Sequence, residues 1–68
     1  MSFKIKYMRI ADYSMNLAQC LAKMERHEEA VNLYDEAYVI RKRELGAEHI
    51  LTKKVLDLKM QSQLFESY

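Results

Sequence analysis

The side chains able to do chemistry by themselves are few: one cysteine, two histidines and 10 carboxylates in 68 residues. Cys20 is a candidate nucleophile, but no histidine stands at a motif spacing to act as its base. On a helix a lone thiol reads as half-buried packing. An unpaired cysteine also fits a reducing, cytoplasmic setting. His27 and His49 sit in two different turns. With Cys20 they make three metal donors, yet no C-x-x-C or H-x-x-x-H spacing gathers them, so no metal site is expected. His49 reads better as a cap or packing residue after Gly46. Glu28, Glu29, Asp35 and Glu36 describe a helix start and a solvated face. Gly46 is the only glycine, which leaves no phosphate-cradling loop. The reading is of a chain that is not an enzyme and carries no cofactor.

Arg41-Lys42-Arg43 is the densest basic run, with Tyr38 near enough to stack on a base. Asp35, Glu36 and Glu44 dilute it, and a basic cluster at a helix C-terminus complements the helix dipole. The whole chain carries 11 basic and 10 acidic residues, a net charge of +1, so no long-range field gathers nucleic acid or an anionic membrane. No apolar run approaches the roughly 20 residues that span a bilayer. Neither nucleic acid nor membrane is expected as a partner.

The elements that position these residues are helices. Proline is absent, half the residues are apolar and 31% are charged, the composition of a folded all-α chain. The expected architecture is one unit over residues 1–68, with helices at about 4–24, 28–45 and 48–65. In the first, Tyr7, Ile10, Ser14, Leu17, Leu21 and Met24 recur at three- and four-residue steps, with Phe3 extending the stripe backwards. Ala11 and Ala18 lie beside it and leave room for another backbone. Glu25-Arg26-His27 breaks the pattern as a short turn. The second helix carries Ala30, Leu33, Tyr34, Ala37, Ile40 and Leu45, and Gly46 is suited to a left-handed C-cap. On the third, Leu51, Val55, Leu58 and Ser62 mark one face, broadened by Leu56, Met60 and Leu64.

Two antiparallel helices with small residues at set places resemble the tetratricopeptide repeat. Asn16-Leu17-Ala18 resembles the family's asparagine-leucine-small triplet, and Leu21 stands where a tyrosine or leucine is usual. His27-Glu28-Glu29-Ala30 resembles the tyrosine-glutamate-glutamate-alanine that opens the second helix. Tyr34 and Ala37 match the aromatic and small positions that lock the pair. The run from Ala37 through Ile40 to Leu45-Gly46-Ala47-Glu48-His49 resembles the extended repeat of the kinesin light chain. Glu25 replaces the usual turn glycine, Lys42 stands where shorter repeats carry proline, and Ile50 replaces the proline after the histidine. Lys59 stands where the next repeat would carry leucine. The third helix is therefore expected to cap the hairpin or to belong to a repeat cut short, an α-solenoid fragment. The C-terminal domain of some SET-type methyltransferases has similar helix ends and is a lesser candidate.

The resemblance implies protein binding. In such arrays the first helices line a concave groove that holds an extended peptide or a helix. With Leu17 and Ala18 taken as inward positions, the groove-facing set is Asp12, Met15, Asn16, Gln19 and Lys23. Asn16 can donate to and accept from a peptide backbone at once. On one isolated repeat the same residue reads equally as a solvated surface asparagine. Lys23 suits a ligand carboxylate, although the family's full carboxylate clamp draws on neighbouring repeats. A repeat stack normally needs about three units to bury its faces. The alternative function is therefore self-assembly, with a homodimer expected through the Phe3–Met8 segment or through a swap of the third helix about the hinge from Gly46 to His49.

Overall fold

A computed structural model describes residues 3–66, with the side chains of residues 5–65. Three helices follow one another: α1 (Phe3–Lys23), α2 (His27–Leu45) and α3 (Ile50–Glu66). They form an all-α hairpin, α1 against α2, and α3 packs on α2 in turn. Two reversals of direction leave α1 and α3 parallel. The molecule measures 43 × 21 × 13 Å.

The first turn explains how the chain manages without glycine. Arg26 N–H reaches the Leu21 carbonyl at 2.9 Å and Glu25 N–H reaches that of Ala22 at 3.0 Å. This is a Schellman closure, whose left-handed position normally falls to glycine. Here Glu25 takes it, with φ of 63°, and the two hydrogen bonds offset the steric cost of its Cβ. Glu28 and Glu29 then occupy the first turn of α2, and Lys42 and Arg43 its last. Both placements favour the helix dipole.

Gly46 ends α2, its N–H bonded to the Lys42 carbonyl at 2.9 Å, but not as the left-handed cap expected. Its φ and ψ of 92° and 156° lie in an extended region open essentially to glycine alone. His49 caps the next helix: its Nδ1 accepts the Leu51 N–H at 3.1 Å, and its carbonyl accepts that of Lys53 at 3.0 Å. Helix α3 therefore starts two residues later than the periodicity suggests.

The core is narrow and built on small residues. Ala11, Ser14, Met15 and Ala18 of α1 are buried against Ala30, Tyr34 and Ala37 of α2. Val55, Thr52 and Ser62 of α3 close the other side. Alanine side chains let helix axes approach, and Tyr34 fills the space left between them. Burial raises the Tyr34 hydroxyl above its ordinary pKa of 10.0.

The buried face of α1 is turned relative to the expected stripe. Ser14 is buried and Leu21 partly so, but Leu17 is 37% exposed, and Ile10 and Met24 also face outward. The alanines expected beside the stripe are its centre, because close packing on α2 selects the smallest side chains. Met15, placed with the groove set, is only 5% exposed. Cys20 is exposed rather than half-buried. On α3, Leu51 stays outside while Thr52 takes its place in the core. Phe3, proposed for the dimer segment, has its side chain outside the described residues.

A groove between the first and third helices

Parallel α1 and α3 form two walls, and α2 runs beneath them as a floor. At one end Asp12, Met15, Asn16 and Gln19 of α1 face Leu51 and Lys54 of α3 across Arg41, around a cavity of about 290 Å³. At the other end Gln19, Ala22 and Lys23 face Leu58, Gln61, Ser62 and Phe65 across Tyr34 and His27, around about 470 Å³. Gln19 lines both hollows, which adjoin along α1.

Arg41 holds the first half together. Its side chain is only 7% exposed, and its Nη2 donates to Asp12 Oδ1 at 2.9 Å. Its Nη1 donates to the Leu51 carbonyl at 3.3 Å. One guanidinium on α2 thus ties α1 and α3 to the floor. The planar fork of arginine suits two acceptors on different helices better than an ammonium would. Its Nε is buried without a partner among the described residues, as is Thr52 Oγ1. Each unsatisfied donor of this kind costs free energy.

At the far end His27 stacks on Phe65, with ring centroids 5.1 Å apart and planes 16° from parallel. Lys59 of α3 pairs with Asp35 of α2 behind this wall. Lys23 and Lys54 have no ion-pair partner among the described residues, whereas Asp12 is committed to Arg41. The open groove therefore presents two lysines, three amides at Asn16, Gln19 and Gln61, and apolar patches from Leu51, Leu58 and Phe65. Groups of these kinds offer hydrogen bonds, charge and apolar contact. Among the described residues no cluster of three or more His, Cys, Asp or Glu could hold a metal ion. No helix among them is long and apolar enough to cross a membrane.

Asp12, Met15, Asn16, Gln19 and Lys23 all line this groove, Met15 as part of its buried base. Of the repeat positions, Ala18, Ala30, Tyr34 and Ala37 are buried, Leu21 and Ile40 are half-buried, and Leu17 faces outward. Sequence reasoning missed the opposite wall and the floor. There α3 reads as a cap or a repeat cut short, and Arg41 as part of a basic cluster complementing the helix dipole. The signal was present for Arg41: it stands four residues after Ala37 and seven after Tyr34, on the buried stripe of α2.

No significant match was found among curated proteins or solved structures. A family model for the tetratricopeptide repeat matches residues 9–58, which cover most of α1, all of α2 and the first half of α3. With the antiparallel pair locked by alanines and Tyr34, this match shows that the chain belongs to the tetratricopeptide repeat family.

Proposed function

We propose that the chain is a protein-interaction module that holds a partner peptide or helix in the groove between α1 and α3. Tetratricopeptide repeats generally mediate protein–protein interaction. The observation that carries the reading is the pair of hollows between α1 and α3 that share Gln19, with amides and lysines on both walls. Asn16, Gln19 and Gln61 can each pair with a backbone N–H and carbonyl of an extended ligand. Lys23 and Lys54 supply charge at either end, and Leu58 and Phe65 an apolar contact between them. The long α2 and the Leu45-Gly46-Ala47-Glu48-His49 ending favour an extended repeat of the kinesin-light-chain type. The single free thiol fits a cytoplasmic scaffold.

The test is a displayed random-peptide library selected on the 68-residue chain. Selected peptides should lose about tenfold or more in affinity when Asn16, Gln19 and Lys54 are changed together to alanine, with helical content retained because alanine favours helix. The control is Glu36→Ala, on the exposed back of α2. Peptides that ignore the triple change but respond to the control would place binding elsewhere.

A further inference from the structure

The wider of the two hollows has unused hydrogen-bonding groups at its base. Tyr34 and Ser62 line it, and they are only 2% and 3% exposed. Neither hydroxyl has a hydrogen-bond partner among the described residues. Nor is either sealed from solvent as Thr52 Oγ1 is. Helices α2 and α3 thus bring two buried side chains to one hollow, each with a donor and an acceptor to spare. The narrower hollow differs. Its floor is the Arg41 guanidinium, whose two Nη atoms are already engaged by Asp12 and the Leu51 carbonyl.

The rest of the lining decides what can enter. Ala22, Leu58 and Phe65 give apolar walls, and Lys23, exposed at the rim, is the one lysine, with no carboxylate beside it. A cationic side chain would meet Lys23 and nothing to pair with. An anionic one would be held at the rim, because at the base it would exchange water for two hydroxyls alone. An aliphatic one would cut both hydroxyls off from water without replacing it. The fitting guest is uncharged, with an apolar body and a tip that both donates and accepts. A carboxamide has the tip but too short a stem to cover Leu58 and Phe65. A phenol has both, and its ring can extend the His27–Phe65 stack.

We infer that this hollow receives a tyrosine side chain of the bound partner, its hydroxyl against those of Tyr34 and Ser62 and its ring against Leu58 and Phe65. The inference rests on the groove reading above and names the residue that the groove selects.

Titration of the 68-residue chain with p-cresol, the tyrosine side chain without its backbone, tests it by nuclear magnetic resonance. The amides of Gln19, Lys23, Leu58 and Ser62 should shift together and saturate on the order of millimolar p-cresol. Toluene, the same ring without the hydroxyl, should bind roughly three- to tenfold more weakly. The Y34F/S62A variant should lose that preference by weakening p-cresol alone, with circular dichroism confirming that the helices remain. Propionamide and phenyl phosphate should both bind more weakly than p-cresol. Toluene binding as tightly as p-cresol, a tighter amide or phosphate, or a preference that survives Y34F/S62A would each overturn the inference. Library-selected peptides keep its failure apart from that of the groove. If they depend on Asn16, Gln19 and Lys54 while p-cresol leaves the hollow unmoved, the tyrosine inference falls and the groove stands. If p-cresol binds there and the peptides ignore those three residues, the groove reading falls and takes the partner's tyrosine with it.

Discussion

The two sides of α2 are built differently. Toward α1 it offers Ala30, Tyr34 and Ala37, and it meets Ala11, Met15 and Ala18 in a dry seam of small side chains around one aromatic ring. Toward α3 the contact relies on Val55 with the buried hydroxyl residues Thr52 and Ser62, the Lys59–Asp35 pair and the Arg41 bond to the Leu51 carbonyl. Close-packed alanines tolerate almost no displacement, because any shift opens a void or a clash. Polar ties and half-exposed leucines can lengthen or slide at lower cost. The hairpin is therefore built as the stiffer part of the molecule, and α3 as the part whose contacts give at lower cost.

The contrast can be broken hardest from the hairpin side. Ala37→Leu adds a branched side chain to a position with no exposed surface and should cost about 1–3 kcal/mol. A chain of this size holds only about 0.05–0.15 kcal/mol per residue. Thermal melts should show most of the cooperative transition lost. A melt indistinguishable from the parent would mean that the α1–α2 seam is looser than described.

A smaller effect of opposite sign is expected from α3. Thr52 Oγ1 is buried with no partner among the described residues, so Thr52→Val removes an unsatisfied hydroxyl while keeping the shape. The gain should be up to about 1 kcal/mol. Hydrogen exchange should show it as slower opening of α3 amides, with those of α1 unchanged. Uniform slowing of all three helices would show that α3 does not open separately from the hairpin.

The smallest effect at neutral pH belongs to the Tyr34 hydroxyl. Burial raises its pKa above 10.0, so the folded form keeps the proton after the unfolded chain begins to lose it. Its contribution is complete below pH 10 and falls as pH rises through the folded pKa. Tyr34→Phe should flatten the alkaline limb of the stability curve measured from about pH 9 to 12. A limb that stays equally steep would assign alkaline unfolding to other groups.

Much of this fold can be read from residue types. A chain without proline and with one glycine has little choice but helix, and Ala30, Tyr34 and Ala37 mark the buried stripe of α2 by spacing alone. Less legible was which face of α1 turns inward. Larger apolar residues at Ile10, Leu17 and Met24 suggest a core, yet close approach of two helices favours the alanines beside them. That same preference releases the larger residues to the outer edge. The groove's α1 wall followed from the family pattern. Its floor did not, because Arg41 sits in a basic run whose ordinary place is in water. Only the pairing with Asp12, 29 residues away in sequence, shows why a guanidinium is buried there.

The central claim, that α1 and α3 form one ligand groove, is tested most directly by mapping amide shift changes in a nuclear magnetic resonance titration with a library-selected peptide. The account predicts changes on both walls together, at Asn16 and Gln19 of α1 and at Lys54 and Gln61 of α3, with the Arg41 side chain responding between them. Changes confined to the outer face of α2, at Asn32, Glu36 and Val39, would contradict it.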